Sequence, residues 1–140
     1  MPINKVTETH PTMSVAASAL RAQQARMRII AENIANADST GQTPGADPYR
    51  RQVPVFEANK IDGAMGVKLA AVKPDTSDFT MEYDPSHPAA DARGYVKRPN
   101  VNSLIESMDM RDAQRAYEAN LNVIETARSM EQKTLDILKR

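Results

Sequence analysis

The sequence predicts a mainly α fold in which two long helices, at the N- and C-terminal ends, pack as a coiled-coil-like pair. A small β-hairpin or extended insert lies between them. Near the N-terminus, apolar residues recur every seven positions, and this spacing keeps an apolar seam facing a partner helix. The residues of this seam are Met13, Leu20, Met27 and Ile34. Near the C-terminus, neither Pro nor Gly occurs from Ser103 to Arg140, so nothing interrupts a helix there.

The first helix is predicted over residues 13–36. Its many alanines are strong helix formers and allow another helix to approach closely. The polar residues 36–40, followed by Gly41, compete for backbone hydrogen bonds and should end the helix. Residues 1–12 are polar and contain two prolines, which indicates a flexible arm, with Thr12 or Ser14 as the helix cap.

The middle of the chain contains turn residues and short strand candidates. Residues 41–50 hold two Gly and two Pro and are predicted to form a loop. Residues 52–58 form a predicted strand, which Pro54 restricts to a sheet edge, and Asp62–Gly63 is a turn signal. We expect residues 67–72 and 78–83 to pair as a hairpin, and residues 84–100 to be an extended connector.

The second helix is predicted over residues 103–139. Ser103 and Glu106 have the spacing of a capping box, in which each side chain satisfies the other's backbone N–H group. The predicted apolar stripe consists of Ile105, Met108, Ala113, Tyr117, Leu121, Ile124, Leu135 and Leu138. Asn120 is unfavourable in a helix interior and indicates a helix-to-helix hydrogen bond that fixes register. The predicted domains are a discontinuous helical core, 1–40 and 101–140, and a β-rich insert, 41–100.

Composition favours association with partners. Eighteen Lys and Arg residues balance 18 Asp and Glu residues, so the chain shows no electrostatic footprint for nucleic acid, and self-association is permitted. Aromatic residues make up only 4% of the chain, which leaves a thin core for a monomer. Without cysteine there is no disulfide or thiolate chemistry. The sequence has no membrane-spanning run, and its N-terminal residues do not resemble a cleaved secretory signal.

Catalytic, cofactor and metal sites are not predicted. His10 and His87 are distant in sequence, and two histidines cannot supply the three or four ligands of a zinc site. Glu82 and Asp84 share a strand face, but no pocket is implied around them. No glycine-rich phosphate loop follows a strand. The dibasic pairs at 50–51 and 97–98 are weak evidence for an anionic partner.

Motifs at both ends of the chain are similar to those of a known family. The N-terminal helix carries LRAQ at 20–23 and ENIANADST at 32–40, and the C-terminal part carries RPNVN at 98–102 and AQRAYEAN at 113–120. Together these segments resemble the paired ends of the bacterial flagellar axial proteins, the rod and hook family. The middle motifs PYRR at 48–51, VFEA at 55–58 and YDPSHP at 83–88 resemble the C-type proximal rod subunits of that family.

This resemblance implies a structural protein of the flagellar basal body. It implies export through the flagellar type III apparatus without a cleaved signal, and assembly of the terminal helices into a helical tube that transmits torque across the periplasm. The implied partners are copies of the chain, other rod subunits, the rod–ring adaptor and the membrane (MS) ring, with no nucleic acid and no small-molecule substrate. We expect the assembly interface to contain Met13, Leu20, Met27, Ile34, Asn33, Asn36, Ile105, Met108, Tyr117, Asn120, Leu121, Ile124, Leu135 and Leu138.

Two alternative functions are compatible with parts of this pattern. A soluble helical adaptor or chaperone of a secretion system would keep the two helices but remain a small oligomer. A small hydrolase would need a clustered polar site, and the sequence does not indicate one.

Overall fold

A computed structural model describes residues 9–140, with two helices flanking four strands. The elements are α1 (Thr9–Ala35), β1 (Gln52–Ile61), β2 (Ala64–Pro74), β3 (Thr80–Tyr83), β4 (Tyr95–Arg98) and α2 (Ser103–Leu138). Of the expected N-terminal arm, residues 1–8 lie outside the described residues. Residues 9–12 already belong to α1, so neither Thr12 nor Ser14 caps that helix.

The predicted fold class was wrong. Helices account for 47% and strands for 22% of the structure, and the strands form two separate two-stranded sheets, which makes the fold α plus β rather than mainly α. The coiled-coil-like pairing along the predicted stripes was also wrong, because most of the α2 stripe is exposed. Ile105, Leu135 and Leu138 expose 52%, 52% and 73% of their surface. Periodicity identified the helices, but it could not tell which apolar face turns inward.

The strand pairing also differs from the prediction. β1 pairs with β2 through the two-residue turn Asp62–Gly63, and β3 pairs with β4 in antiparallel register, with Thr80 opposite Arg98. Both turn residues have positive φ angles, 50° and 83°, as a type I′ hairpin requires. This turn leads β2 back along β1, so β2 does not pair with residues 78–83. The predicted extended connector instead contains β4 and the turns before it.

The chain divides into two compact units. Among the described residues, the first combines 9–26 with 55–71 and 112–140. In this unit, the Ser18 hydroxyl is buried, donates to the Val15 carbonyl at 2.6 Å and accepts from the Val67 N–H at 3.2 Å. Hairpin and helix meet closely at Gly66, where an added Cβ would lie 2.8 Å from the Ser18 Oγ. A larger residue at this contact would require the side chains of Ser18 and Ile61 to shift.

The second unit combines residues 27–54 with 72–111. Its buried apolar side chains include Ile29, Ile30 and Val96, which are at most 4% exposed. On the exposed face of β3 and β4, the Tyr83 and Tyr95 rings meet edge to face with centroids 5.2 Å apart. Several hydrogen bonds of this unit converge on a polar cluster around Asn33 and Glu106. Within residues 9–140, neither helix is long and apolar enough to cross a membrane.

Candidate functional site

A buried asparagine lies at the centre of the polar cluster in the second unit. The Asn33 side chain, 1% exposed, donates from Nδ2 to the Gln52 carbonyl at 2.9 Å. Its Oδ1 accepts from the Gln52 N–H at 2.9 Å. The amide thus pairs with both backbone groups of one residue, as a neighbouring strand would. It attaches the first residue of β1 to the last turns of α1.

Tyr49 and Glu106 complete the surroundings of Asn33. The Tyr49 hydroxyl donates to Asn33 Oδ1 at 2.8 Å, and Asn33 Nδ2 lies 3.3 Å from Glu106 Oε2. Burial is the largest cause that raises the pKa of Tyr49, and the negative charges of Glu32 and Glu106 raise it further. The raised pKa lets the hydroxyl stay protonated, and keep donating its hydrogen bond, to a higher pH than an ordinary tyrosine.

A buried ion pair joins Arg51, the residue before β1, to α2 within this unit. Glu106 is 1% exposed and accepts a hydrogen bond from the Arg51 guanidinium. The same guanidinium lies 3.4 Å from Asp75 and 3.9 Å from Asp109. Burial alone would lower the pKa of Arg51, but hydrogen bonds and charges from Glu106 and Asp75 raise it. Removing one partner of such a pair would leave a buried charge uncompensated.

Arg50 and Asn100 fasten the segment after β2. The Arg50 guanidinium donates to the carbonyls of Asp75 and Ser77 at 2.8 and 2.9 Å and lies 4.1 Å from the centre of the Phe79 ring. Asn100 accepts from the Arg51 N–H at 2.8 Å and donates to the Asp75 carbonyl at 3.1 Å. Hydrogen bonds from Ser77 are the largest cause that lowers the pKa of Asp75, and Arg51 lowers it further.

The dibasic pairs do not present unpaired charge to an anionic partner. Arg50 and Arg51 turn into the polar cluster, as described above. Lys97 forms an ion pair with Asp47 at 2.8 Å, and Arg98 forms one with Glu82 at 2.5 Å. Each pair of basic residues therefore interacts with the protein's own carbonyls or carboxylates.

Asparagine side chains bind backbone groups at the end of α1 and at the start of α2. Asn36 Nδ2 donates to the Glu32 carbonyl at 2.8 Å, which satisfies an acceptor at the end of α1. At the start of α2, however, Asn102 is the cap, since its Oδ1 accepts from the N–H groups of Leu104 and Ile105 at 3.1 and 3.3 Å. The Ser103–Glu106 capping box was wrong, because Glu106 turns toward Arg51 and Asn33.

The predicted assembly residues differ in exposure. On α1, Asn33 is buried, and Met13, Leu20, Met27 and Ile34 are half-buried, as is Asn36 just after the helix. On α2, Tyr117, Asn120 and Ile124 are half-buried, whereas Ile105, Met108, Leu121, Leu135 and Leu138 are exposed. Asn120 donates to the Ala116 carbonyl of its own helix at 2.7 Å. A hydrogen bond from Asn120 to another helix therefore stays a prediction for the assembled state.

The sequence analysis missed two lines of residues along α2. The inward line of α2 contains Glu106, Ala113 and Ala127, which are buried, although only Ala113 was in the predicted stripe. A second line of large apolar side chains, Val123, Met130 and Ile137, is exposed. Their seven-residue spacing is visible in the sequence and could have revealed this second face.

The residues considered for catalysis remain separate. His10 lies 3.9 Å from Glu131, and His87 Nδ1 accepts from the Ala89 N–H. Glu82 pairs with Arg98, and Asp84 accepts from Ser86. Among residues 9–140, no three His, Asp or Glu side chains come together in a group that could hold a metal ion.

Comparisons with known proteins identify the class at both ends of the chain. The family described as "Flagella basal body rod protein" matches residues 13–42, which include Asn33 and Asn36. The family described as "Flagellar basal body rod FlgEFG protein C-terminal" matches residues 92–137, which include most of α2. The fold and the polar cluster thus belong to a protein of the flagellar rod class.

Curated relatives define the family more narrowly. The chain is 53% identical to the flagellar basal-body rod protein FlgC of Agrobacterium fabrum, over 89% of this chain and 91% of the relative. It is 44% identical to FlgC of Escherichia coli O6:H1, over 88% and 92% of the two chains. It is 37% identical to FlgC of Bacillus subtilis, over 91% and 97%. The chain therefore belongs to the FlgC family and is a structural subunit of the proximal rod in the flagellar basal body, which confirms the resemblance found in the motifs.

Proposed function

We propose that this chain joins the rod by helix–helix packing between subunits, so that the terminal segments 1–40 and 101–140 form the core of a helical tube. The observation that carries the proposal is the set of exposed apolar side chains on α2. Leu121, Leu135 and Leu138 expose 39%, 52% and 73% of their surface in the isolated subunit. Exposed apolar surface of this kind is typical of a protein interface.

The polar cluster supports the stiffness that such a tube needs. Its hydrogen bonds join the end of α1, the beginning of β1 and the first turns of α2 within one compact unit. Buried polar networks in which the members are satisfied make a structure rigid and specific. We infer that the cluster holds these segments in one arrangement while torque passes through the rod across the periplasm.

The proposed partners are copies of the chain, other rod subunits, the rod–ring adaptor and the MS ring. We propose that the flagellar type III apparatus exports the chain without a cleaved signal. The proposed role is not enzymatic and uses no cofactor, nucleic acid or small-molecule substrate. A soluble adaptor or chaperone is not favoured, because the curated relatives are rod proteins.

Substitution of one exposed apolar residue tests this proposal. Leu135 is half exposed in the free subunit, so Leu135→Asp should leave its folding intact. In an assembled rod, the same change would bury an unpaired carboxylate, at a cost of several kcal/mol at each interface. A strain that carries only this variant should make the protein but lack filaments and be immotile.

Gln132→Asp provides the matched control, since Gln132 is an exposed polar residue one turn away on the same helix. It adds the same charge and should leave motility nearly unchanged. Thermal unfolding of both purified variants should match that of the unaltered protein. Normal motility with Leu135→Asp, or equal loss with both variants, would remove the support for this assembly surface.

A further inference from the structure

The α2 helix has a second apolar face that the predicted stripe does not include. Two interleaved seven-residue repeats define this outer face: Ala116, Val123, Met130 and Ile137, and Asp112, Ala119, Thr126 and Lys133. Val123, Met130 and Ile137 expose 43%, 59% and 72% of their surface. At about 100° per residue, this face lies beside the inward line that contains the buried Ala113 and Ala127, with Val123 about 40° around the helix from Ala127.

The order of large and small residues makes the outer face complementary to itself in one orientation. When two copies of α2 lie antiparallel with Val123 of one copy opposite Ala119 of the other, Ala116 falls opposite Thr126. At the centre, Val123 of each copy then meets the small Ala119 of the other, as close packing between helices requires. Two interleaved heptad positions are also the pattern by which coiled-coil helices interlock.

The charged residues at the two ends of the outer face favour the same antiparallel orientation. Asp112 lies toward the N-terminal end of the outer face and Lys133 toward its C-terminal end, and both are exposed. In an antiparallel pair, Asp112 of each copy lies beside Lys133 of the other. In a parallel pair, Asp112 would meet Asp112 and Lys133 would meet Lys133, which is repulsive. Antiparallel packing also makes the two helix dipoles point in opposite directions, which is the favourable arrangement.

We propose that the free subunit forms a two-fold symmetric pair in which the outer faces of α2 pack antiparallel. The formal net charge of zero lowers the general repulsion that would oppose this contact. A contact of this type uses the same surface on both copies, so it closes after two subunits and cannot continue into a filament. The pair is therefore a form of the free protein, and its existence does not depend on the proposed rod contacts.

The absence of cysteine from the sequence allows a direct test by disulfide formation. Ala116→Cys and Thr126→Cys are prepared as separate full-length variants, mixed and oxidised mildly. In the antiparallel register, position 116 of one copy lies opposite position 126 of the other, so a mixed disulfide should form. Like positions lie about 15 Å apart along the axis, too far for a disulfide, so neither variant should link to itself.

Gln114→Cys and Gln132→Cys, on exposed positions off the outer face, serve as matched controls and should not link when mixed. Self-linked products from Ala116→Cys and Thr126→Cys separately would indicate parallel packing and overturn the proposal. Equal linkage in the control mixture would overturn it as well, because it would indicate random collision.

Sedimentation analysis across a range of concentrations measures the strength of the pair. Met130→Asp should raise its Kd at least about a hundredfold, because the symmetric contact carries the substitution twice. Gln132→Asp should leave the Kd within about threefold. A protein that stays monomeric at all concentrations would refute the pair. Leu135 lies off the outer face, so the Leu135→Asp variant should still form the pair. Loss of the pair and loss of rod assembly can therefore be told apart.

Discussion

Asn33 and Glu106 show how single polar side chains fix the path of the backbone in the second unit. Each is 1% exposed, and between them they contact both backbone groups of Gln52, the Tyr49 hydroxyl and the Arg51 guanidinium. Burial without these partners would be costly, since each polar atom would lose its hydrogen bonds to water. The fold therefore depends on the chemical identity of these two residues as well as on their size.

Glu106 provides the sharpest test at the residue scale. Glu106→Leu should lower the free energy of unfolding by about 2–3 kcal/mol, because it leaves the Arg51 charge without its buried partner. The estimate is at the low end for a buried pair, because Arg51 is 24% exposed and still has Asp75 nearby. Chemical denaturation of the purified protein would measure the loss.

Glu118→Leu is the matched control, since Glu118 is an exposed carboxylate on the same helix. It should change the free energy of unfolding by no more than about 0.5 kcal/mol. Equally small effects of the two substitutions would show that the buried ion pair between Arg51 and Glu106 does not stabilise the subunit.

At the scale of secondary structure, the sequence predicted elements better than it predicted their partners. Alanine content and the lack of Pro and Gly located both helices, and Asp62–Gly63 located the turn between β1 and β2. The pairing of β3 with β4 was missed because β4 has only four residues and follows a series of turns. The inward face of α2 was missed because it includes Glu106, whose burial depends on Arg51 and Asn33, residues distant in sequence.

The correction at the start of α2 yields a prediction for that helix. Asn102→Ala removes the oxygen that accepts from Leu104 and Ile105, and it should cost about 1 kcal/mol of stability. Ser103→Ala should be nearly silent, because Ser103 is exposed and its side chain is not the cap. Thermal unfolding of the two variants, compared side by side, would measure the difference. A larger loss of stability with Ser103→Ala than with Asn102→Ala would indicate that Ser103 is the cap, and it would contradict the structure.

At the scale of the whole molecule, the motifs that identified the family are also those that build the polar cluster. Asn33 comes from the N-terminal motif, Arg51 from the middle motif, and Asn100 from the C-terminal motif. Their importance was visible in the sequence through the resemblance to flagellar proteins. The contacts among these residues were not visible in the sequence, because spacing along the chain does not reveal which distant polar residues share one buried site.

Stability is also uneven along the subunit, and the C-terminal end of α2 is expected to be its least stable part. Ala113 and Ala127 are buried, whereas every residue from 132 to 140 is exposed. A helix end without packing gains little stability from propensity alone, so local opening there should cost no more than about 1 kcal/mol. Amide hydrogen exchange on the dilute free subunit should be fast over residues 132–138 and slower around Ala113 and Ala127.

The same measurement on assembled rods should show residues 132–138 protected, because the exposed Leu135 and Leu138 would then lie in subunit contacts. Strong protection of residues 132–138 in the dilute subunit, or exchange that stays fast in the rod, would contradict the proposal that this end of the helix becomes ordered through assembly.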